Sequence, residues 1–140
     1  MEFNNSEDNY LYFNSPLDVN NGYLSIDYKH TIIINNKKFN SIREYYEYKK
    51  NKIFDDRLLN EKKLGILIEA NFLKFTQNLD LQEKLLNTDK KFICYASLDT
   101  ELGIGLNKET AIKTAIDEWK GWNLVGIAIM EVRLELLKNK

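Results

Sequence analysis

The sequence predicts an α+β domain: short strands and a hairpin in the N-terminal third, helices over most of the remainder. Three observations carry this. "YLYF" and "GYLSIDY" alternate apolar and polar residues as half-buried strands do. "HTIIINNKKFN" sets a β-branched run and a return segment on either side of Asn35-Asn36, a pair able to adopt positive φ. From Asp55 onward apolar residues recur at helical spacing through most of the chain.

In order along the chain, residues 1–9 are polar and expected to form a mobile tail, with the domain running over residues 10–138. Two short strands follow, with Gly22 as the turn between them, and then the hairpin. Asn40 or Ser41 can cap a helix from Ile42 to about Lys50, whose apolar face carries Ile42, Tyr45 and Tyr46. The stretch from Asp55 to Asn78 predicts a long helix with Gly65 as a weak point, costing about 1 kcal/mol against alanine. "LDLQEKLLN" reads as a further helix and "KKFICYASL" as a buried strand. "DTELGIGLNKET" is a loop leading to another helix capped by Asn107, with Glu109 favourable in its first turn. The last helix starts at Asn123 as cap and buries Val125, Ile129, Val132 and Leu136.

Composition narrows the function classes. At 140 residues, 44% hydrophobic and 29% charged, the chain has ordinary globular usage, and its apolar runs are too short to span a bilayer. Lys plus Arg (20) nearly balance Asp plus Glu (21), so no global positive field attracts nucleic acid. One cysteine, Cys94, cannot form an internal disulfide, and the start "MEFNNSEDN" is acidic and polar; both point to the cytoplasm. Lysine over arginine, with abundant asparagine and isoleucine, is the bias of an AT-rich genome such as a low-GC bacterium or its phage. His30 has no cysteine or carboxylate at ligand spacing, so no metal is expected, and Cys94 in "FICYA" reads as a buried structural thiol.

The segment Asp99 to Leu136 resembles the C-terminal signature of the NADAR family, D-x-x-W-G-x-G-L followed by W-x-G-x-N-x-x-G-x-x-L-M-x-x-R. Asp99, Gly103, Gly105, Leu106, Trp119, Gly121, Asn123, Gly126, Met130 and Arg133 fall into it in order and at matching spacing. Upstream, "LSID" is similar to the family's F-S-N-F, and "NSIREYYEYKK" to its P-S-x-E-H-x-Y-Q-A-x-K block. The resemblance implies a small α+β fold and an N-glycosidase ancestry: cleavage of a base–ribose bond in riboflavin-pathway intermediates, or removal of ADP-ribose from modified guanine. Such chemistry needs a carboxylate beside the anomeric carbon and groups that hold base and phosphates.

Aligned without a gap, the family's glutamate position is occupied by Arg43 and its histidine position by Glu44, while Ile26, Leu102 and Leu59 replace a polar asparagine and two tryptophans. The resemblance therefore implies a member that binds, and sequesters, an ADP-ribose-like or other ribose-phosphate ligand with no cofactor and with its catalysis degraded. The alternative is an active N-glycosidase in which Glu44 or Asp99 has taken over the acid's work, and a third class is a protein-interaction module. Ligand contacts are expected from Ser25, Arg43, Tyr46, the Gly103, Ile104 and Gly105 loop, and Asn123. Beside these stand plainer readings: Arg43 and Glu44 in a solvated first turn, Gly103 and Gly105 as turn residues that otherwise let backbone N–H groups approach an anion, and Asn123 as an N-cap. Tyr45 and Tyr46, being adjacent, are not expected to face inward together, and Trp119 and Trp122 read mainly as packing residues.

Overall fold

The computed structural model describes residues 5–139. Its regular elements are β1 (Tyr10–Phe13), β2 (Ile32–Ile34), β3 (Lys37–Phe39), α1 (Ile42–Lys50), α2 (Asp56–Thr76), α3 (Leu79–Leu86), β4 (Phe92–Tyr95), α4 (Lys108–Ile112) and α5 (Leu124–Lys138). Two separate two-stranded sheets form: β2 with β3 as an antiparallel hairpin, and β1 with β4 in parallel, Tyr10 opposite Phe92 through Phe13 opposite Tyr95.

Helix starts at Ser41 and Asn107 follow the capping chemistry read from the sequence, and Asp55 and Asn78 add two caps it did not single out. Ser41 Oγ accepts from Glu44 N at 3.2 Å, Asp55 Oδ1 from Arg57 N and Leu58 N, Asn78 Oδ1 from Leu81 N, and Asn107 Oδ1 from Thr110 N. Asn35 and Asn36 take positive φ, 52° and 66°, as a two-residue hairpin turn demands. The long helix continues through Gly65, where an added Cβ would meet nothing within 4 Å.

The core lies where α2 packs on α5 and α1, and α5 on β4. Leu67, Ala70, Phe75, Ile93, Val125, Ile129 and Val132 are buried there, as are all four predicted core positions of the last helix. A second cluster on the other side of β4 joins Tyr12, Cys94, Ala96, Ile104 and Ala111, with Trp119 against them. Covering on both faces explains why "FICY" reads as a continuous apolar run.

Four expectations are corrected. "GYLSIDY" is no strand: Gly22–Leu24 forms a 3-10 turn, and Gly22 through Ile26 are buried in succession, without alternation. Its glycine is required by a close approach, since a Cβ there would lie 2.5 Å from the Pro16 carbonyl oxygen. The mobile tail fails within the described residues 5–9: Asn5 is buried, and its Nδ2 donates to Ala111 O at 2.7 Å and Thr114 O at 2.8 Å; residues 1–4 lie outside them. Tyr45 and Tyr46 are both buried, because α1 is enclosed on two sides: Tyr45 packs edge-on against Phe39 and donates to Glu69, while Tyr46 turns the other way. Trp119 packs against Tyr10 and Tyr12, but Trp122 is 70% exposed.

Candidate functional site

The Ser25 loop meets the first turn of α1 through one backbone bond, Arg43 N to Ile26 O at 2.9 Å. Ser25 is buried, and its Oγ accepts from Asp27 N at 3.1 Å, closing a short turn that presents the Asp27 carboxylate. Asp27 grips Arg43: Nε donates to Oδ1 at 2.5 Å and Nη2 to Oδ2 at 3.3 Å, a two-pronged pair on half-exposed side chains. Asp27 raises the guanidinium above its ordinary value, with Tyr95 and Glu47 adding to it.

One helical turn beyond Arg43, Glu47 lies on the same face of α1. Tyr46 is buried between them and the loop after β4; burial pushes its phenol up to about 12, reinforced by Glu101, Glu47 and Asp99 and opposed by Arg43. Burial likewise raises Tyr95 at the end of β4, against the pull of Ser97 and Arg43 and with Asp27 and Asp99 adding. Arg43 and Asp27 are in direct contact, while Glu47, Asp99 and Glu101 act on Tyr46, and Asp27 and Asp99 on Tyr95, as charges at longer range. Lys63 of α2 donates to Glu101 at 2.7 Å.

The four acids are not equally free. Asp27 is held by Arg43 and Glu101 by Lys63. Asp99 Oδ1 accepts from Glu101 N and Leu102 N, both at 2.8 Å, so this carboxylate folds its own loop. Glu47 has a looser partner, Lys50 at 3.8 Å, a separation at which a half-exposed pair contributes little.

Several predicted contacts have other duties. The N–H groups of Gly103, Ile104 and Gly105 donate to Asp99 O, Tyr95 O and Ser97 O, so the anion cradle expected of this loop is already spent. Gly103 is needed for packing, a Cβ there lying 2.9 Å from Ser97 Cβ, and Gly105 for its φ of +79°. Asn123 is neither a side-chain cap nor exposed to ligand. It sits at φ 55° with its buried amide accepting from Tyr95 N and donating to Ile93 O, each at 2.9 Å, which pins the start of α5 to β4. Leu124 N and Val125 N are instead capped by Glu101 O and Leu102 O. Gly126 makes room for that pin, since its Cβ would come within 2.5 Å of the Asn123 amide.

Glu44, the acid expected one residue past Arg43, is exposed and lies about 100° further round the helix, away from the Tyr46 group. Ser25 acts through the turn it holds, and Tyr46 is buried with no open ring face to offer a ligand. Arg43 and Tyr46 share the first two turns of α1, and the charge of Asp99 in the loop after β4 acts on Tyr46. Asp27, Glu47, Tyr95, Lys63 and Glu101 complete the group without a signature of their own. The available signals were spacing alone, Asp27 two residues after Ser25 and Glu47 four after Arg43. Trp122 stands at the edge, its backbone N–H donating to Thr100 O at 2.8 Å in the Asp99 loop while the residue is 70% exposed. Among the described residues no group of His, Cys, Asp and Glu could hold a metal ion, and no helix is long and apolar enough to cross a membrane.

Comparison with known proteins bears on the family and the fold. A curated relative, N-glycosidase R617 of Acanthamoeba polyphaga mimivirus, is 39% identical over 83 residues, an alignment covering 59% of this chain and 49% of that protein. The chain thus spans about half the length of the curated relative it matches. The NMR structure of the E. coli protein YbiA superposes with a TM-score of 0.71 at 19% identity, covering 96% of this chain and 88% of that one, which shows the fold. The family model of the NADAR domain matches residues 54–137. On that match, with the signature from Asp99 to Arg133 in place, the chain belongs to the NADAR family.

Proposed function

We propose that the protein is an N-glycosidase that hydrolyses the bond between a base and C1′ of a ribose-phosphate substrate, with Glu47 as its working carboxylate. The observation that carries this is the inequality among the four acids: Asp27, Glu101 and Asp99 are each tied to a close partner, and Glu47 is not. A carboxylate with free acceptor capacity can stabilise positive charge growing at C1′ or take a proton from the attacking water. In the step, water oxygen bonds to C1′ as the C1′–N bond breaks. The bond pair leaves on the base nitrogen, which takes up a proton. The exposed Trp122 indole beside the Asp99 loop suits stacking of the departing base. A relative named N-glycosidase at 39% identity supports the reaction class.

A second reading, sequestration of an intact ADP-ribose-like ligand, is favoured by Arg43 at the family's glutamate position. The two separate by incubating the protein with ADP-ribose, NAD and riboflavin-pathway ribosides and resolving the products by chromatography. Release of free base that falls about 100-fold or more in Glu47→Gln supports hydrolysis. Tight binding with every ligand recovered intact sinks it and leaves sequestration. Hydrolysis undiminished in Glu47→Gln removes Glu47 from the role.

A further inference from the structure

On the opposite side of α1 the hairpin and the helix end gather positive charge around one tyrosine. Lys37 Nζ and Lys52 Nζ both donate to Tyr48 Oη, at 2.5 and 2.6 Å, and sit 4.7 and 4.2 Å from its ring centre. A cavity of about 220 Å³ opens beside them, floored by Ile34 and Phe39 and edged by Lys37, Tyr48, Lys49 and Lys52. No carboxylate lines it, and among the described residues no ion pair engages any of these three lysines.

Two ammonium groups on one neutral phenol oxygen repel each other across that atom, and negative charge placed among them relieves the repulsion. The tyrosine itself registers this: hydrogen bonds from Lys37 and Lys52 pull its hydroxyl down to about 8. Tyr48 lies about 140° round the helix from Arg43 and about 100° from Glu47, so this cluster is distinct from the carboxylate group.

We propose that this pocket is a second, anion-binding site, in which Lys37, Lys49 and Lys52 hold a phosphoryl group and the Tyr48 hydroxyl donates to it. The phosphoryl group is carried either by free phosphate or by a sugar phosphate. The apolar floor of Ile34 and Phe39 and the hydroxyl rim suit a small carrier. The site stands whether or not Glu47 performs hydrolysis.

Calorimetric titration with inorganic phosphate and with ribose 5-phosphate, at fixed ionic strength, tests it. Saturable binding is expected, tighter for whichever source the pocket prefers. The Lys37→Ala, Lys52→Ala double variant loses at least about ten-fold in affinity, because two charge-assisted hydrogen bonds disappear. A charge-matched control, Lys90→Ala with Lys91→Ala, keeps wild-type affinity. In parallel, bound phosphate competes for the two lysines and moves Tyr48 ionisation, followed by tyrosinate absorbance, to higher pH; Tyr48→Phe removes that signal. Binding that never saturates, or equal losses in the double variant and the control, overturns the proposal in favour of general charge screening.

Discussion

Replacing Lys74 by methionine should remove a pH dependence of stability that one buried ammonium imposes. Lys74 is 1% exposed, near the C-terminal end of α2, beneath the turn that leads to Asp27. Its Nζ donates to Tyr23 O at 2.5 Å and reaches Ser25 O at 3.4 Å, between the rings of Tyr28 and Phe75 at 5.2 and 5.3 Å. The titratable groups facing it are His30 and Tyr28, and among the described residues no ion pair engages it. Burial lowers its pKa to about 7 from an ordinary 10.5. The sign follows: between pH 7 and 10.5 the unfolded lysine holds a proton that the folded one has released. Folding stability therefore rises with pH through that window, by about 1.4 kcal/mol per pH unit and on the order of 5 kcal/mol in all. Below pH 7 the folded state carries the full cost of the buried charge.

In Lys74→Met this rise vanishes, while the Tyr23 and Ser25 carbonyls lose their donor at about 1–3 kcal/mol. The variant should exceed the wild type by about 1–3 kcal/mol near pH 7 and lose about 2 kcal/mol of that margin by pH 9. Urea unfolding at intervals between pH 7 and 9 measures the difference, below the range where the buried tyrosines titrate. Tyr48, lowered to about 8, acts in the same direction, so both proteins carry Tyr48→Phe. Parallel stability curves for the two proteins would refute the reasoning, since they would mean that Lys74 keeps an ordinary proton affinity in its buried place.

Two further outcomes follow from the same geometry. Asn123→Ala leaves Tyr95 N and Ile93 O unpaired in the interior and puts alanine at φ 55°, so stability should drop by about 3–5 kcal/mol in denaturant unfolding, with early hydrogen exchange at Tyr95. Asp27→Ala breaks a half-exposed pair and should cost under about 1 kcal/mol, yet change turnover or affinity for a ribosylated ligand by freeing Arg43; a large loss of melting temperature with unchanged ligand response would make the pair structural.

What the sequence disclosed divides along physical lines. Caps at Ser41 and Asn107 were legible because each acts within three residues of itself, and the Asn35-Asn36 hairpin for the same reason; Asp55 and Asn78 cap by the same local chemistry without having been singled out. The four core positions of α5 were legible from period alone. What escaped depends on distant chain. Asn123 looks like a cap until β4, 28 residues earlier, takes both ends of its amide. Gly103, Ile104 and Gly105 look like a phosphate cradle until Tyr95, Ser97 and Asp99 consume their N–H groups. The aligned motif pointed at Arg43 and so at lost catalysis. The carboxylate one turn later, Glu47, stands out only once Asp27, Asp99 and Glu101 have taken their close partners.

The parallel pairing of β1 with β4 also sets an order of events. Tyr10–Phe13 leaves the ribosome early but has no strand to join until Phe92–Tyr95 follows, and β4 is fastened only when Asn123 and α5 arrive. Helices α1 to α3 can form locally in the interval, whereas the site's loops wait for the last fifth of the chain. Folding should therefore be slow for its size, with one late step that creates sheet and site together. A chain trimmed to residues 54–137, the span of the family match, would strand β4 without its neighbour and leave the acids of the C-terminal loop with no Arg43 or Glu47 to face.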